Sequence, residues 1–185
     1  DMQRALVCRP DIKNLSEKEL YNYKRWEPFY DRIEKVVIPN NQRILETFRR
    51  KNMEVIFSKL QCLKKDGSDR PLVQKKAGFR NLLLPIGSKD SEIIPELMPK
   101  ENEIVITKTT HSTITGTNLR LTLHNMGIDT VVVTGVFTDR CVSSTVRSLA
   151  DESFKVWLIE DATMAATEEI HEHELKILNN TYCHV

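Results

Sequence analysis

The chemistry of this sequence concentrates around Cys141. The segment Val131-Val132-Val133-Thr134-Gly135-Val136-Phe137-Thr138-Asp139-Arg140-Cys141-Val142 reads as a buried strand stopping at Gly135, followed by a helix that begins near Thr138. Thr138 is placed to cap that helix, with Asp139 in its first turn. Cys141 then falls in the first helical turn, at the C-terminal edge of a parallel sheet, where open α/β sheets bind their ligands. A thiol there feels the positive end of the helix dipole, which favours a nucleophilic thiolate. N–H groups of the same turn are placed to hold a developing oxyanion. Position alone fits a second reading equally well, that of a small buried core thiol.

The elements that must carry this residue alternate along the chain. Residues 53–57, 103–106, 130–134 and 154–159 are short apolar runs rich in β-branched side chains, as expected of parallel strands covered on both faces. Helical spacing predicts helices over 33–51, broken near Pro39, and over 117–125, 138–152 and 168–180. Alternation of this kind predicts a three-layer α/β domain with a mostly parallel central sheet. The stretch 64–99, containing Pro and Gly, reads as a long surface excursion, a type of segment that is often functional.

With 185 residues the chain suits one domain spanning 1–185. Lys plus Arg number 27 against 26 Asp plus Glu, a net charge of +1, which provides no field for steering nucleic acid or an anionic membrane. The basic pieces Arg49-Arg50-Lys51 and Lys75-Lys76 read as solvated faces. No apolar run approaches the roughly 20 residues of a membrane span, and no signal peptide is visible; the expectation is a soluble, cytoplasmic protein. Cys8, Cys62, Cys141 and Cys183 are scattered, without a Cys-x-x-Cys pair, so reduced thiols are expected.

Gly135-Val136-Phe137-Thr138-Asp139-Arg140-Cys141-Val142 resembles the nucleophile motif of the isochorismatase-like cysteine hydrolases. Asp1-Met2-Gln3 is similar to that family's Asp-x-Gln element, Ile106-Thr107-Lys108-Thr109 to the strand end carrying its lysine, and Thr117-Asn118-Leu119 to the helix that follows. Ile159-Glu160-Asp161-Ala162 resembles the end of the next strand. The pieces occur in the family's order, and the resemblance covers nearly the whole chain. It implies an αβα fold with Asp1 as general base, Lys108 as the balancing cation and Cys141 as nucleophile. It also implies a cis peptide between Val136 and Phe137, which would turn the Phe137 N–H toward the Cys141 N–H as an oxyanion hole. In the family the Asp ends a first strand, so a strand upstream of residue 1 is implied. A homo-oligomer acting on a small-molecule substrate, without a cofactor, is the further expectation.

Two features narrow the branch. Where nicotinamidases carry an Asp-x-His metal element, this chain reads Ser58-Lys59-Leu60-Gln61, so no metal site is expected. Relatives that cleave a vinyl ether lack the cysteine. Lys65-Asp66-Gly67-Ser68-Asp69-Arg70, together with Tyr30-Asp31-Arg32 and Val36-Val37-Ile38-Pro39-Asn40, resembles the branch acting on carbamoyl and ureido compounds, such as N-carbamoylsarcosine, ureidoacrylate and biuret. Arg70, His111 and Thr138 are the candidate substrate-binding residues, and Ile114 stands where the family has an aromatic residue. His171 and His173, two apart on a helix, point to different faces and read as surface residues. Trp26 and Trp157 read as packing residues. The reading is a metal-independent amidohydrolase. Its rivals are a nicotinamidase-like enzyme without its metal, and a catalytically silent binding or scaffold protein of the same fold.

Overall fold

The computed structural model describes residues 1–75 and 82–185. Lys76, half of one predicted basic piece, lies outside the described residues, as does part of the excursion over 64–99. The helices are α1 (Arg4–Val7), α2 (Glu17–Arg32), α3 (Ile38–Arg50), α4 (Leu72–Lys75), α5 (Leu119–Asn125), α6 (Ser143–Asp151) and α7 (Glu168–Leu178). The strands are β1 (Ile56–Leu60), β2 (Ile104–Lys108), β3 (Thr130–Val136) and β4 (Lys155–Met164). Each predicted strand appears, and the boundaries shift toward the C-terminal ends, where the site lies.

All described pairing between these strands is parallel. β1 pairs β2 from Ile56↔Ile104 to Leu60↔Lys108, and β3 pairs β4 from Thr130↔Lys155 to Val136↔Met164. The register slips between Val133 and Gly135. The α/β fold expected from strand–helix alternation is therefore present, with its described strands arranged as two pairs. A cavity of about 220 Å³ lies between the pairs, lined by Ile56, Phe57 and Ser58 on one side and Val131, Val132 and Val133 on the other.

Helix α2 is absent from the sequence expectations because Pro28 and a mainly polar surface obscure its period. Its start is nonetheless strongly specified. Ser16 Oγ accepts from the Glu19 N–H while the Glu19 carboxylate accepts from the Ser16 N–H, satisfying two donors that would otherwise be orphaned. The chain passes from α2 into α3 through a π-turn, Ile33–Val37, and the backbone stays helical up to Pro39, so the break expected near Pro39 is absent. Thr167 caps α7 by accepting from the Ile170 N–H.

Burial divides into two apolar clusters. One joins Phe29 and Ile33 to Ile94, Val136, Phe137 and Met164. The other packs α5, α6 and α7, through Leu123, Val146 and Leu178, against Ile106, Val156 and Leu158. Trp26 packs edge-on against Phe29 and Phe137, as expected of a packing residue. Trp157 differs: it is 48% exposed and lies against the His184 ring. β4 alternates there, so Val156 and Leu158 turn inward and Trp157 outward.

Arg49 also departs from the solvated face expected of it. Its Nε and Nη2 each reach one Glu103 oxygen at 2.7 Å, and its Nη2 donates to the Met98 carbonyl as well. The pair clamps the end of α3 to the entry of β2. Arg49 holds the Glu103 carboxyl below the usual range. Its contribution is therefore full above the unfolded value of about 4.3 and is lost as pH falls through the folded value. Glu103→Gln is expected to lower stability by about 1–2 kcal/mol at pH 7. Urea unfolding at pH 7 and pH 3 checks this, and the gap between variant and parent should shrink at the lower pH.

Candidate active site

Lys108 is the last residue of β2, and the alternation of the strand turns its side chain inward. Its Nζ lies 2.8 Å from Asp1 Oδ2, with the two side chains 0% and 1% exposed. The ammonium approaches off the hydrogen-bonding direction, and among the described residues no donor hydrogen-bonds either Asp1 oxygen. The carboxylate thus keeps capacity to accept a proton. Lys108 Nζ donates to the Thr110 carbonyl at 3.0 Å. Burial pushes the Lys108 ammonium pKa down, while the charge and hydrogen bond of Cys141 push it back up. Lys108 is therefore paired with Asp1 and acted on by the Cys141 thiol as well.

Gln3 holds Asp1 in place. Its side chain is buried, donates to the carbonyls of Leu60 and Ser91, and accepts from the Leu60 N–H. One amide thereby satisfies two backbone groups at the end of β1 and a third at Ser91, which explains why an Asp-x-Gln spacing needs the Gln. At Gly135 φ is +107°, and an added Cβ would stand 3.4 Å from the Asp1 backbone nitrogen. Glycine there tolerates the conformation and lets the Asp1 segment approach.

Cys141 follows β3 in a π-turn, Thr138–Val142, and α6 begins only at Ser143. This corrects the expected α-helical first turn. Thr138 is not a side-chain cap; its hydroxyl lies 2.8 Å from His171 Nδ1, wholly buried. His171 is accordingly not a surface residue. It is 1% exposed, and burial foremost pushes its pKa down, whereas His173 is exposed as expected. Thr138, expected at the substrate, is instead committed to anchoring the turn. The signal for His171 was its place in the helical period with Leu175 and Leu178, all buried on one face of α7.

The Cys141 side chain is buried, with Sγ 3.6 Å from His111 Nδ1. Its carbonyl accepts from Thr145 Oγ1 at 2.7 Å, and Thr145 Oγ1 in turn accepts from the Thr113 N–H. The Val136–Phe137 peptide is cis. Phe137 is held by stacking on Phe29 at 5.2 Å, with the Arg140 guanidinium 5.0 Å from its ring centre. Asp1 and Cys141 both border the cavity between the strand pairs.

Arg70, the other predicted substrate contact, binds its own loop. It donates to the carbonyls of Gly67 and Leu82. Asp69 accepts from the N–H groups of Leu63 and Lys64, and Gly67 takes φ +65° where an added Cβ would meet Leu83 at 2.5 Å. The Asp-Gly-x-Asp-Arg pattern is here a loop architecture. At the metal-element position, Ser58 Oγ lies 2.9 Å from Thr113 Oγ1, and Gln61 bonds the Ser91 and Thr107 hydroxyls. With Lys59 as the remaining polar side chain, these residues do not fit a metal. No group of three carboxylate, imidazole or thiol side chains that could hold one occurs among the described residues. No described helix is long and apolar enough to cross a membrane.

The family model described as "Isochorismatase domain" matches residues 1–185. A Bacillus subtilis (strain 168) protein described as "Uncharacterized isochorismatase family protein YrdC" is 36% identical over 127 residues, covering 68% of this chain and 59% of that protein. The N-carbamoylsarcosine amidase of Arthrobacter sp is 34% identical over 123 residues, covering 64% of this chain and 46% of that enzyme. The chain thus spans about half the length of these two relatives. The crystal structure of an isochorismatase-like hydrolase from Alkaliphilus metalliredigens superposes with a TM-score of 0.66 at 35% identity, covering 78% of this chain and 75% of that one. Sequence match and fold agree along the chain that carries Asp1, Lys108 and Cys141, and the chain belongs to the isochorismatase family of hydrolases.

Proposed function

We propose that the protein is a metal-independent cysteine amidohydrolase that cleaves a C–N bond of a small ureido, carbamoyl or amide compound. The observation that carries this is the buried Lys108–Asp1 ion pair, with Asp1 and Cys141 on one cavity and the Cys141 charge acting on the same ammonium. A lone buried cation would be costly; one set between a carboxylate and a thiol makes a charge-balanced nucleophile site. The name of the N-carbamoylsarcosine amidase relative supports the substrate class. The hydrogen-bonded Ser58 and Gln61 support the absence of a metal requirement.

In this scheme Asp1 accepts the Cys141 thiol proton as sulfur attacks the substrate carbonyl carbon. The carbonyl oxygen takes the negative charge and receives hydrogen bonds from the Phe137 and Cys141 N–H groups. Collapse breaks the C–N bond, and the departing nitrogen takes the proton from Asp1, leaving a thioester on Cys141. Water, deprotonated by Asp1, attacks the thioester. Cys141 departs as the thiolate, recovers its proton and releases the acid product. Lys108 remains charged throughout and balances whichever of Asp1 and Cys141 is anionic.

A screen for ammonia release from ureides and amides, with nicotinamide included, tests the reading. Cys141→Ala should lose more than about a thousandfold of the turnover found while retaining its fold and substrate binding. Cys141→Ser should not restore it, since an alcohol needs a stronger base than a carboxylate, and Lys108→Ala should be severely impaired. Wild-type turnover in Cys141→Ala would overturn the scheme. Activity should survive dialysis against a chelator; its loss, with recovery on adding zinc or iron, would remove the metal-independent reading. Nicotinamide as the best substrate would favour the rival amidase.

Thiol labelling separates an enzyme from a silent binding protein. Burial foremost pushes the Cys8 and Cys183 thiols up, so both should alkylate slowly at neutral pH. Cys141 is expected to react with iodoacetamide faster than Cys8, Cys62 or Cys183, as read by peptide mass spectrometry. Equal rates at all four would point to the silent protein.

A further inference from the structure

The Asp1–Lys108–Cys141 scheme leaves unused an imidazole that touches the sulfur. His111 lies in the loop after β2, half-buried, with Nδ1 3.6 Å from Cys141 Sγ. The loop is pinned on both sides of it. Thr110 supplies its carbonyl to Lys108 Nζ and its hydroxyl to the carbonyls of Ser112 and Thr115. Ser112 Oγ donates to Ser148 Oγ, and the Thr113 N–H donates to Thr145. Ser148 and Thr145 belong to α6, the helix that begins directly after the Cys141 turn. The same hydrogen bonds that fix the nucleophile therefore fix the imidazole against it.

Resting on the reading of Cys141 as nucleophile, we propose that His111 is a neutral hydrogen-bond donor to it, its Nδ1–H directed at the thiolate sulfur. The charged groups that act on the ring are Lys108 and Arg140, both cationic, and Asp139, anionic. Burial foremost, then Lys108 and Arg140, push the His111 pKa down, and Asp139 opposes them. The ring thus stays uncharged at neutral pH, with Nδ1–H available to the sulfur and Nε2 as acceptor. A neutral donor suits this place. Lys108 already supplies one cation, and a second would stabilise the thiolate at the expense of its nucleophilicity. An uncharged imidazole orients the sulfur and lowers the cost of ionising it by less than a second cation would, so less nucleophilicity is lost. It also lacks the spare proton that a general acid would deliver to the leaving nitrogen, so proton delivery remains with Asp1.

The test follows the rate of Cys141 alkylation by iodoacetamide against pH in the full chain, for wild type, His111→Phe and His111→Asn. The Asn amide can present an N–H near the position of imidazole Nδ1; Phe cannot. His111→Phe should move the alkylation midpoint up by about one pH unit, a roughly tenfold slower reaction at pH values below both midpoints, and His111→Asn should stay near wild type. Wild type alone should show a second inflection below about pH 6.5, where the ring gains its charge. His111→Ala, which adds no bulk, carries the same expectation as His111→Phe should the latter fail to fold. A wild-type midpoint in His111→Phe or His111→Ala overturns the proposal, as does an Asn variant that behaves like the Phe variant. Labelling of wild-type Cys141 no faster than Cys8 would count against the hydrolase reading instead, and the midpoint difference would still decide the hydrogen bond.

Discussion

The ion pair between Lys108 and Asp1 is the constraint around which the rest is arranged. Both side chains are removed from water, and burying either charge without its partner costs about 3–5 kcal/mol. The fold can hold the pair only if β2 delivers Lys108 and the Asp1 segment arrives beside it with little freedom. The three hydrogen bonds of buried Gln3 to Leu60 and Ser91 secure the second condition. Parallel pairing of Leu60 with Lys108 secures the first. The end of β1 thus ties the two charges together although it contributes neither.

The nucleophile is fixed by a different kind of force. Phe137 is gripped among Trp26, Phe29 and Arg140. Thr138 is held from beneath by His171, and the Cys141 carbonyl by Thr145. Arg140 belongs to the turn itself; the other anchors lie on α2, α7 and α6. The turn keeps main-chain bonds of its own, from the Arg140 and Val142 N–H groups to the Phe137 carbonyl, and side chains from three elements add to them. The same dependence accounts for buried polar residues, such as Thr113 and Thr145, within an otherwise apolar neighbourhood. Each is buried with a partner, which is the condition under which burial of a hydroxyl is inexpensive.

The described residues of 64–99 carry structure of their own. The Asp66–Arg70 turn is closed by Asp69 and Arg70, the Leu84 backbone pairs with Cys62, and Ser91 receives Gln3. Through Gln3 the loop reaches the base of the ion pair. An excursion that looks peripheral along the chain is therefore a support of the site.

The sequence by itself determined the strands, their parallel sense and the residues at their ends. Apolar, β-branched runs have few other stable fates, and the ends of such strands collect polar side chains for a reason. It also singled out Cys141, Lys108 and Asp1, because each stands in a motif of recognisable order. Other assignments were out of its reach. Arg70 and Thr138 looked like ligand contacts, yet both spend their hydrogen bonds inside the fold. His171 looked solvated, yet it is buried against a residue 33 positions away. Helix α2 was hidden by Pro28, and Arg49 found Glu103 54 positions along the chain. Periodicity and motif report what a residue is near in sequence. Which partner takes each hydrogen bond, and so whether a polar side chain faces a substrate or its own protein, is set by contacts between distant segments that exist only once the chain has packed.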